Sequence, residues 1–424
     1  MGQDRDVVAD EVVDLVILGG GCAGLSLGLA LALRQAQTQT QPRQSLTDTA
    51  SACQPTVVIL ESRSTYTQDR TWCFWPTEVT RAQGLDALAA HRWLKLRVST
   101  TNTPGVLLDY TAWPYAMVNA HAFYEHAVAA IAGTDNIRLR LGEPALHCER
   151  GSHQWRVHTA QGVLRCNAVL DTRPIAVPVE GGALLWQSFY GVEVESTQAV
   201  FDAACADLMD FAPASDEEIR FTYVLPTSAQ RALIEMTVFS PQPLGPQTLA
   251  AQLDAALAQR TRGAAFTRLR SEHGVLPMGS TPMAGLALPA AQPGYVYAGL
   301  TAGGARAATG YAFVRIQQWA IACAQALAQG QGPLGHAPDS WIQSRMDQLF
   351  LQVIRTHPQA APELFRSLFQ RAGAHRMARF LSDQASLLDR AVIASSLPPG
   401  LFVGQLARQA QRAYRQLGAA KVSM

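Results

Sequence analysis

Two groups of residues have types and spacings suited to chemistry. The first is a lone acid: in RALIEMTVFS, residues 231–240, Glu235 interrupts a run that otherwise reads as a buried strand. An ionised carboxylate removed from water costs several kcal/mol unless it is paired. Glu235 therefore implies either a buried ion pair, with an arginine such as Arg231 or Arg220, or an acid kept for chemistry. The second group is GGGCAG, residues 19–24, where Gly19, Gly21 and Gly24 form a GxGxxG pattern between a strand-like and a helix-like run. Glycines at that spacing permit a tight turn, let backbone N–H groups approach a pyrophosphate and aim a helix N-terminus at its charge.

The elements that follow extend this nucleotide signature. Glu61 ends the next strand-like run, TVVIL, where a carboxylate can accept hydrogen bonds from both hydroxyls of an adenosine ribose. It stands thirty-seven residues past Gly24, beyond the usual spacing of about 20. The Gln- and Thr-rich stretch from Gln35 to Gln54 reads as an inserted loop that accounts for the excess. Two later segments favour FAD over NAD. NAVLDTRP, residues 167–174, is an apolar strand closing on Asp171, the form taken by the strand that returns to the nucleotide domain in two-domain flavoproteins. YVYAGLTAGGARAATGYAF, residues 295–313, reads as strand, glycine turn and helix start. It places the amides of Gly303 and Gly304, and those around Thr309, Gly310 and Tyr311, to face the ribityl phosphate and the isoalloxazine.

Between these segments the pattern changes. Residues 184–239 alternate as β-structure, residues 246–259 form an amphipathic helix, and after a Gly/Pro linker at 330–338 the spacing is helical to the end. The chain has 424 residues, 48% hydrophobic and 16% charged, enough for a large core and two or three domains. A net charge of +1 argues against nucleic acid as a partner. The charge is uneven, however, with eleven Lys or Arg against four Asp or Glu in residues 341–424. Seven scattered cysteines without a CxxC pair suit a reducing compartment, and ten histidines without HxxxH or HExxH spacing suggest no metal. Nineteen uncharged residues, 15–33, have the length of a membrane span, but the glycines divide them into strand and helix. The acidic N-terminus is unlike a signal peptide, so a cytoplasmic location is expected.

The ordered set of motifs resembles that of the bacterial and plant lycopene cyclases, flavoproteins related in fold to the p-hydroxybenzoate hydroxylase group. LVILGGGCAGLSLGLAL resembles the opening dinucleotide motif of that family, and RTWCFW (70–75) its Thr-Trp-(Ser/Cys)-Phe-(Trp/His) element. WQSFYG (186–191), FTYVLPTSAQRALIEMTVFS (221–240), GVLPM (274–278) and TAGGARAATGY (301–311) are similar to later family elements, so the match spans nearly the whole chain.

The resemblance implies an α/β (α+β) fold. A Rossmann-like FAD-binding domain would be formed by residues 12–100, 160–180 and 272–330, an inserted antiparallel substrate sheet by 101–159 and 181–271, and a helical cap by 339–424. It implies lycopene as substrate, ring closure to a β-ionone end-group without net redox change, reduced FAD as the active cofactor and NADPH or NADH as reductant. Glu235 aligns with the first acid of the family's Glu-(Glu/Asp)-Thr motif, while Met236 replaces the second. Thr71 and Trp72 fall beside the nucleotide. Trp72, Phe74, Trp75, Trp186, Phe189, Tyr190 and Tyr311 are expected along a substrate tunnel, with cation–π faces. The stripes MDQLFLQVI and PELFRSLF, with the basic surplus, are expected to dock the cap on the cytoplasmic face of a membrane. Two other readings remain: a flavin monooxygenase, halogenase or reductase on the same scaffold, and a non-catalytic carotenoid-binding protein.

Overall fold

The computed structural model describes residues 10–40, 54–279 and 292–422. The charge-free run divides as its glycines require, into the strand Glu11–Leu18 and the helix Cys22–Thr40. No helix among the described residues is long and apolar enough to cross a membrane. The helix continues through Gln35–Thr40, so the expected loop begins later; most of that stretch lies outside the described residues, as does Cys53.

Three sheets organise the molecule. In the first, Ile137–Leu141, Val57–Glu61, Glu11–Leu18 and Val163–Asp171 lie parallel in that order. Trp155–His158 and His147–Arg150 extend the sheet antiparallel, and Tyr295–Tyr297 pairs parallel with the end of Val163–Asp171. The near-continuous apolar runs Leu15–Leu18 and Val57–Leu60 are buried throughout, as expected of parallel strands covered on both faces. The second sheet runs Phe266–Met278, Leu185–Ser196, Arg231–Ser240, Ile219–Pro226, Cys205–Phe211, Lys95–Ser99, Val106–Asp109. A third, three-stranded sheet (Thr71–Phe74, Tyr115–Asn119, His91–Trp93) carries Thr71 and Trp72.

These pairings correct the expected domain limits. Lys95–Ser99 and residues 272–278, the end of Phe266–Met278, belong to the second sheet, because their backbones complete its ladder. Residues 137–158 belong to the first, paired with Val57–Glu61 and Val163–Asp171.

The second sheet has two differently used faces, set by the period of two in a strand. Ala232, Ile234, Met236 and Val238 pack with Val192 and Val194 against Leu249, Leu253 and Leu257 of the helix Pro246–Arg260. Leu233 and Phe239 face the other way, into a core shared with Leu351, Leu364 and Phe369 of the C-terminal helices. That cap is tied down by a buried cation. Arg306 bonds Asp347 through Nε (3.1 Å) and Nη2 (3.0 Å), meets the Phe380 carbonyl and lies 3.6 Å from Asp383.

Candidate active site

A cavity of about 890 Å³ runs between the first sheet, the Glu235 face of the second and the C-terminal helices. Its wall includes Gly19, Gly21 and Glu61 of the first sheet's side, Glu235 and Glu272 of the second sheet, and Ile393, Leu397 and Phe402 of the C-terminal segment.

The glycines of the motif have separate tasks. Gly19 takes a positive φ of +99° to make the turn. A Cβ on Gly24 would lie 2.0 Å from the Gly19 carbonyl oxygen, so this residue permits close packing of turn on helix and does not itself line the cavity. A Cβ on Gly21 would meet nothing within 4 Å, which leaves the free approach that a pyrophosphate needs. Glu61 is buried, accepting bonds from the Arg63 backbone (2.9 Å) and guanidinium (3.0 Å). Burial pushes its carboxyl up, but Arg63 and Ser62 more than offset this and leave it below the usual carboxylate range. It is ready to accept ribose hydroxyls as an anion.

The second contact segment is used only in part. Thr309, Gly310 and Tyr311 line the cavity, and a Cβ on Gly310 would lie 2.9 Å from Gln187 Oε1. That oxygen is sealed from solvent and has no hydrogen-bond partner, an acceptor available to a ring N–H. Gly303 and Gly304 are not in the cavity wall: Gly304 closes a turn by donating to Gly299 O, where a Cβ would lie 2.6 Å from that oxygen. Asp171 is also set apart from the cavity. Its carboxylate is taken by Arg173 (2.9 and 2.7 Å) and by the Tyr295 hydroxyl (2.8 Å), which dock neighbouring segments of chain. Gly304 and Asp171 thus have polar groups committed to the fold, and Gly303 lies outside the cavity wall.

Among the described residues, Glu235 pairs with no arginine. Arg231 bonds Glu193 (2.6 Å) and Arg220 bonds Glu218 (3.1 Å), while the one donor recorded for Glu235 is the Thr237 hydroxyl at 2.9 Å. Burial lifts the Glu235 carboxyl from 4.5 to about 8, the nearby Glu272 charge adds to the rise, and the Thr237 bond partly opposes it. The acid is thus predominantly neutral at pH 7. Its register partner Tyr223 also lines the cavity, and the hydroxyl of Tyr115 joins Tyr223 (3.0 Å) to Tyr311 (3.1 Å). Burial pushes all three phenols up, so they remain uncharged rings.

The sheet period sorts the expected aromatics. Phe189, Tyr311 and Trp72 line the cavity, Trp72 stacked on Phe313 with ring centroids 5.2 Å apart. Trp186 and Tyr190 fall on the opposite face of their strand, and Phe74 and Trp75 are core residues. Met236 likewise points away from Glu235, which makes its identity irrelevant to the polarity of the cavity. The residue missed in the sequence is Glu272. It lies two strands from Glu235, with both aligned to Gly191, and it bonds Arg270 and the Thr71 hydroxyl (3.0 Å). Its signal was an acid just before the GVLPM element, in a strand whose register the sequence does not disclose.

Comparison with known proteins places this geometry. Residues 14–404 match the family model described as lycopene cyclase protein. The chain belongs to the lycopene cyclase family. Solved structures similar in fold include a geranylgeranyl bacteriochlorophyll reductase-like protein from Thermoplasma acidophilum, at 12% identity and TM-score 0.59 over 93% of this chain and 98% of the other. They also include the flavin-dependent monooxygenase PieE in complex with FAD and substrate (13%, 0.57, 91% and 72%) and the flavin-dependent brominase Bmp2 (12%, 0.55, 96% and 99%). At these identities the likeness concerns the Rossmann-like α/β fold. A search of curated proteins returned no match.

Proposed function

We propose that this family member closes the linear ψ end-group of lycopene to a β-ionone ring by acid catalysis, with no net redox change. The observation that carries the reading is Glu235: an unpaired carboxyl, held neutral, in an apolar cavity that continues to a dinucleotide motif. Cyclisation of a hydrocarbon starts with a proton, and a carboxyl with pKa near neutrality combines a high protonated fraction with useful acidity. Glu235 delivers its proton to C2 of the C1=C2 bond, the C5=C6 pair attacks the C1 cation, and loss of a proton from the ring leaves the β isomer. Tyr115, Tyr223 and Tyr311 offer ring faces to the cation without competing as bases.

FAD fits the observed cradle: Gly19, Gly21 and Glu61 would hold its adenosine half, and Gln187, Thr309, Gly310 and Tyr311 its ring end. When bound in its reduced, anionic form it supplies negative charge that stabilises a nearby carbocation. NADPH or NADH would serve only as the reductant.

The cap needs a revised account of membrane contact. Leu351, Ile354, Leu364, Leu368 and Phe369 of the expected docking stripes are buried, because they form the core and cavity wall. The apolar residues that are exposed include Leu387 (73%) and Leu388 (70%), on the same helix as Ile393, which lines the cavity. Docking of that edge on an anionic bilayer from the cytoplasmic side would set the cavity mouth where a hydrocarbon enters. The reading is tested by anaerobic incubation with lycopene and reduced FAD, followed by chromatography and mass measurement. A cyclic product of unchanged mass is expected. A product heavier by oxygen, halogen or hydrogen would instead establish an oxidoreductase.

A further inference from the structure

Glu235 and Glu272 flank Gly191 on one face of the second sheet, one on each neighbouring strand. Two strand spacings separate their backbones by about 10 Å. Gly191 gives them a shared neighbour without a side chain: a Cβ there would stand 3.4 Å from both Glu235 Cβ and Glu272 Cγ, and 3.3 Å from Leu233 Cδ1. Both carboxyls line the same cavity, yet their partners differ in kind. Glu235 has a hydroxyl donor and no cation. Glu272 is bonded to the Arg270 guanidinium, itself fixed by Glu193 (2.6 Å) and by Thr71 (2.6 Å). Burial raises the Glu272 carboxyl overall, and Arg270 and Thr71 offset only part of that rise. Paired carboxyls in such contrasting surroundings divide into an acid and a base.

Resting on the cyclase reading above, we propose that Glu272 is the base that removes the C6 proton from the ring cation, and so determines which ring isomer forms. The step balances without an oxidant or reductant. Glu235 protonates C2, the C5=C6 pair forms the C1–C6 bond, and the C6–H bond breaks to restore the C5=C6 double bond as its proton passes to Glu272. Loss of that proton from Glu272 to water, and reprotonation of Glu235 from water, resets the site. A carboxylate paired with arginine is a weak base, but a proton beside a carbocation needs no stronger one. Because Met236 faces the other side of the sheet, the second acid of the site lies on a separate strand from the first. The charged or titratable groups around Glu272 are Arg270, Arg70, Glu193 and Glu235, with Cys73 and Tyr223 neutral across the cavity.

The test compares wild type, Glu272→Gln, Glu272→Asp and Gly191→Ala with lycopene and reduced FAD, reading turnover, flavin content and the ratio of β, ε and γ rings. Glu272→Gln should retain FAD, slow cyclisation at least about 100-fold and shift the residual product toward ε or γ rings. Glu272→Asp should recover part of the rate and the β ring. Wild-type rate and isomer ratio in Glu272→Gln would overturn the assignment while leaving the cyclase reading intact. Absence of cyclisation by wild type would overturn both. If Glu272→Gln fails to fold, Gly191→Ala decides, since it retains both Arg270 and Glu272 and narrows the space shared by Glu235, Glu272 and Leu233. It should keep its flavin and lose turnover, and full turnover would refute the proposal.

Discussion

Replacing Glu235 by Gln preserves side-chain volume and a partner for Thr237, but removes the proton. The size of the effect follows from the site. With its pKa lifted from 4.5 to about 8, the acid is about 90% protonated at pH 7, against about 0.3% for an ordinary glutamate. Burial therefore multiplies the competent population roughly 300-fold, and loss of a general acid typically costs 10²–10⁴ in rate, about 100-fold at the least. Wild-type turnover should fall about tenfold per unit well above pH 8. The same shift appears in stability. The folded pKa lies above the unfolded one, so its contribution is intact below pH 4.5 and is lost as pH rises to about 8, at up to about 1.4 kcal/mol per pH unit. Glu235→Gln should consequently melt with wild type at pH 4 and above it at pH 9. The assay combines product chromatography across pH with thermal unfolding and flavin content. A flavin-loaded variant that cyclises at the wild-type rate would refute the assignment.

Other outcomes follow from the geometry. Gly21→Val should fold, since a Cβ meets nothing within 4 Å, yet lose FAD on purification; stoichiometric flavin by absorbance would contradict the site. Arg306→Met leaves Asp347 buried without its cation, so urea unfolding should report a loss of about 3–5 kcal/mol. Leu387→Asp with Leu388→Asp should weaken flotation with anionic liposomes at low salt, and binding that ignores lipid charge would exclude the electrostatic docking proposed here.

The nucleotide half was legible because its signals are local. Gly19, Gly21, Gly24 and Glu61 depend on one turn and two strand ends, and the strand-turn-helix pattern makes those explicit. Glu235 was also legible, as a charge out of place in a strand. What the sequence hid depends on register between distant segments. Glu272 becomes a neighbour of Glu235 only when two separate strands both align on Gly191. Trp186 and Tyr190 looked like tunnel residues until the face carrying Glu235 was known, since a strand sends alternate side chains to opposite sides. The C-terminal stripes read equally as membrane face or core, because periodicity shows that a helix is amphipathic and not what covers it. Gly303, Gly304 and Asp171 lie outside the cavity wall for a related reason: turn-forming and strand-ending residues serve the fold as well as a ligand.

The central claim, that an enzyme acid donates the proton that starts ring closure, is tested most directly by running the reaction in deuterium oxide and locating the label by mass and NMR. The account predicts one deuterium at C2 for each ring closed, no added oxygen or halogen, and loss of labelled product in Glu235→Gln. Cyclic product without deuterium at C2, or equal labelling by Glu235→Gln, would contradict it.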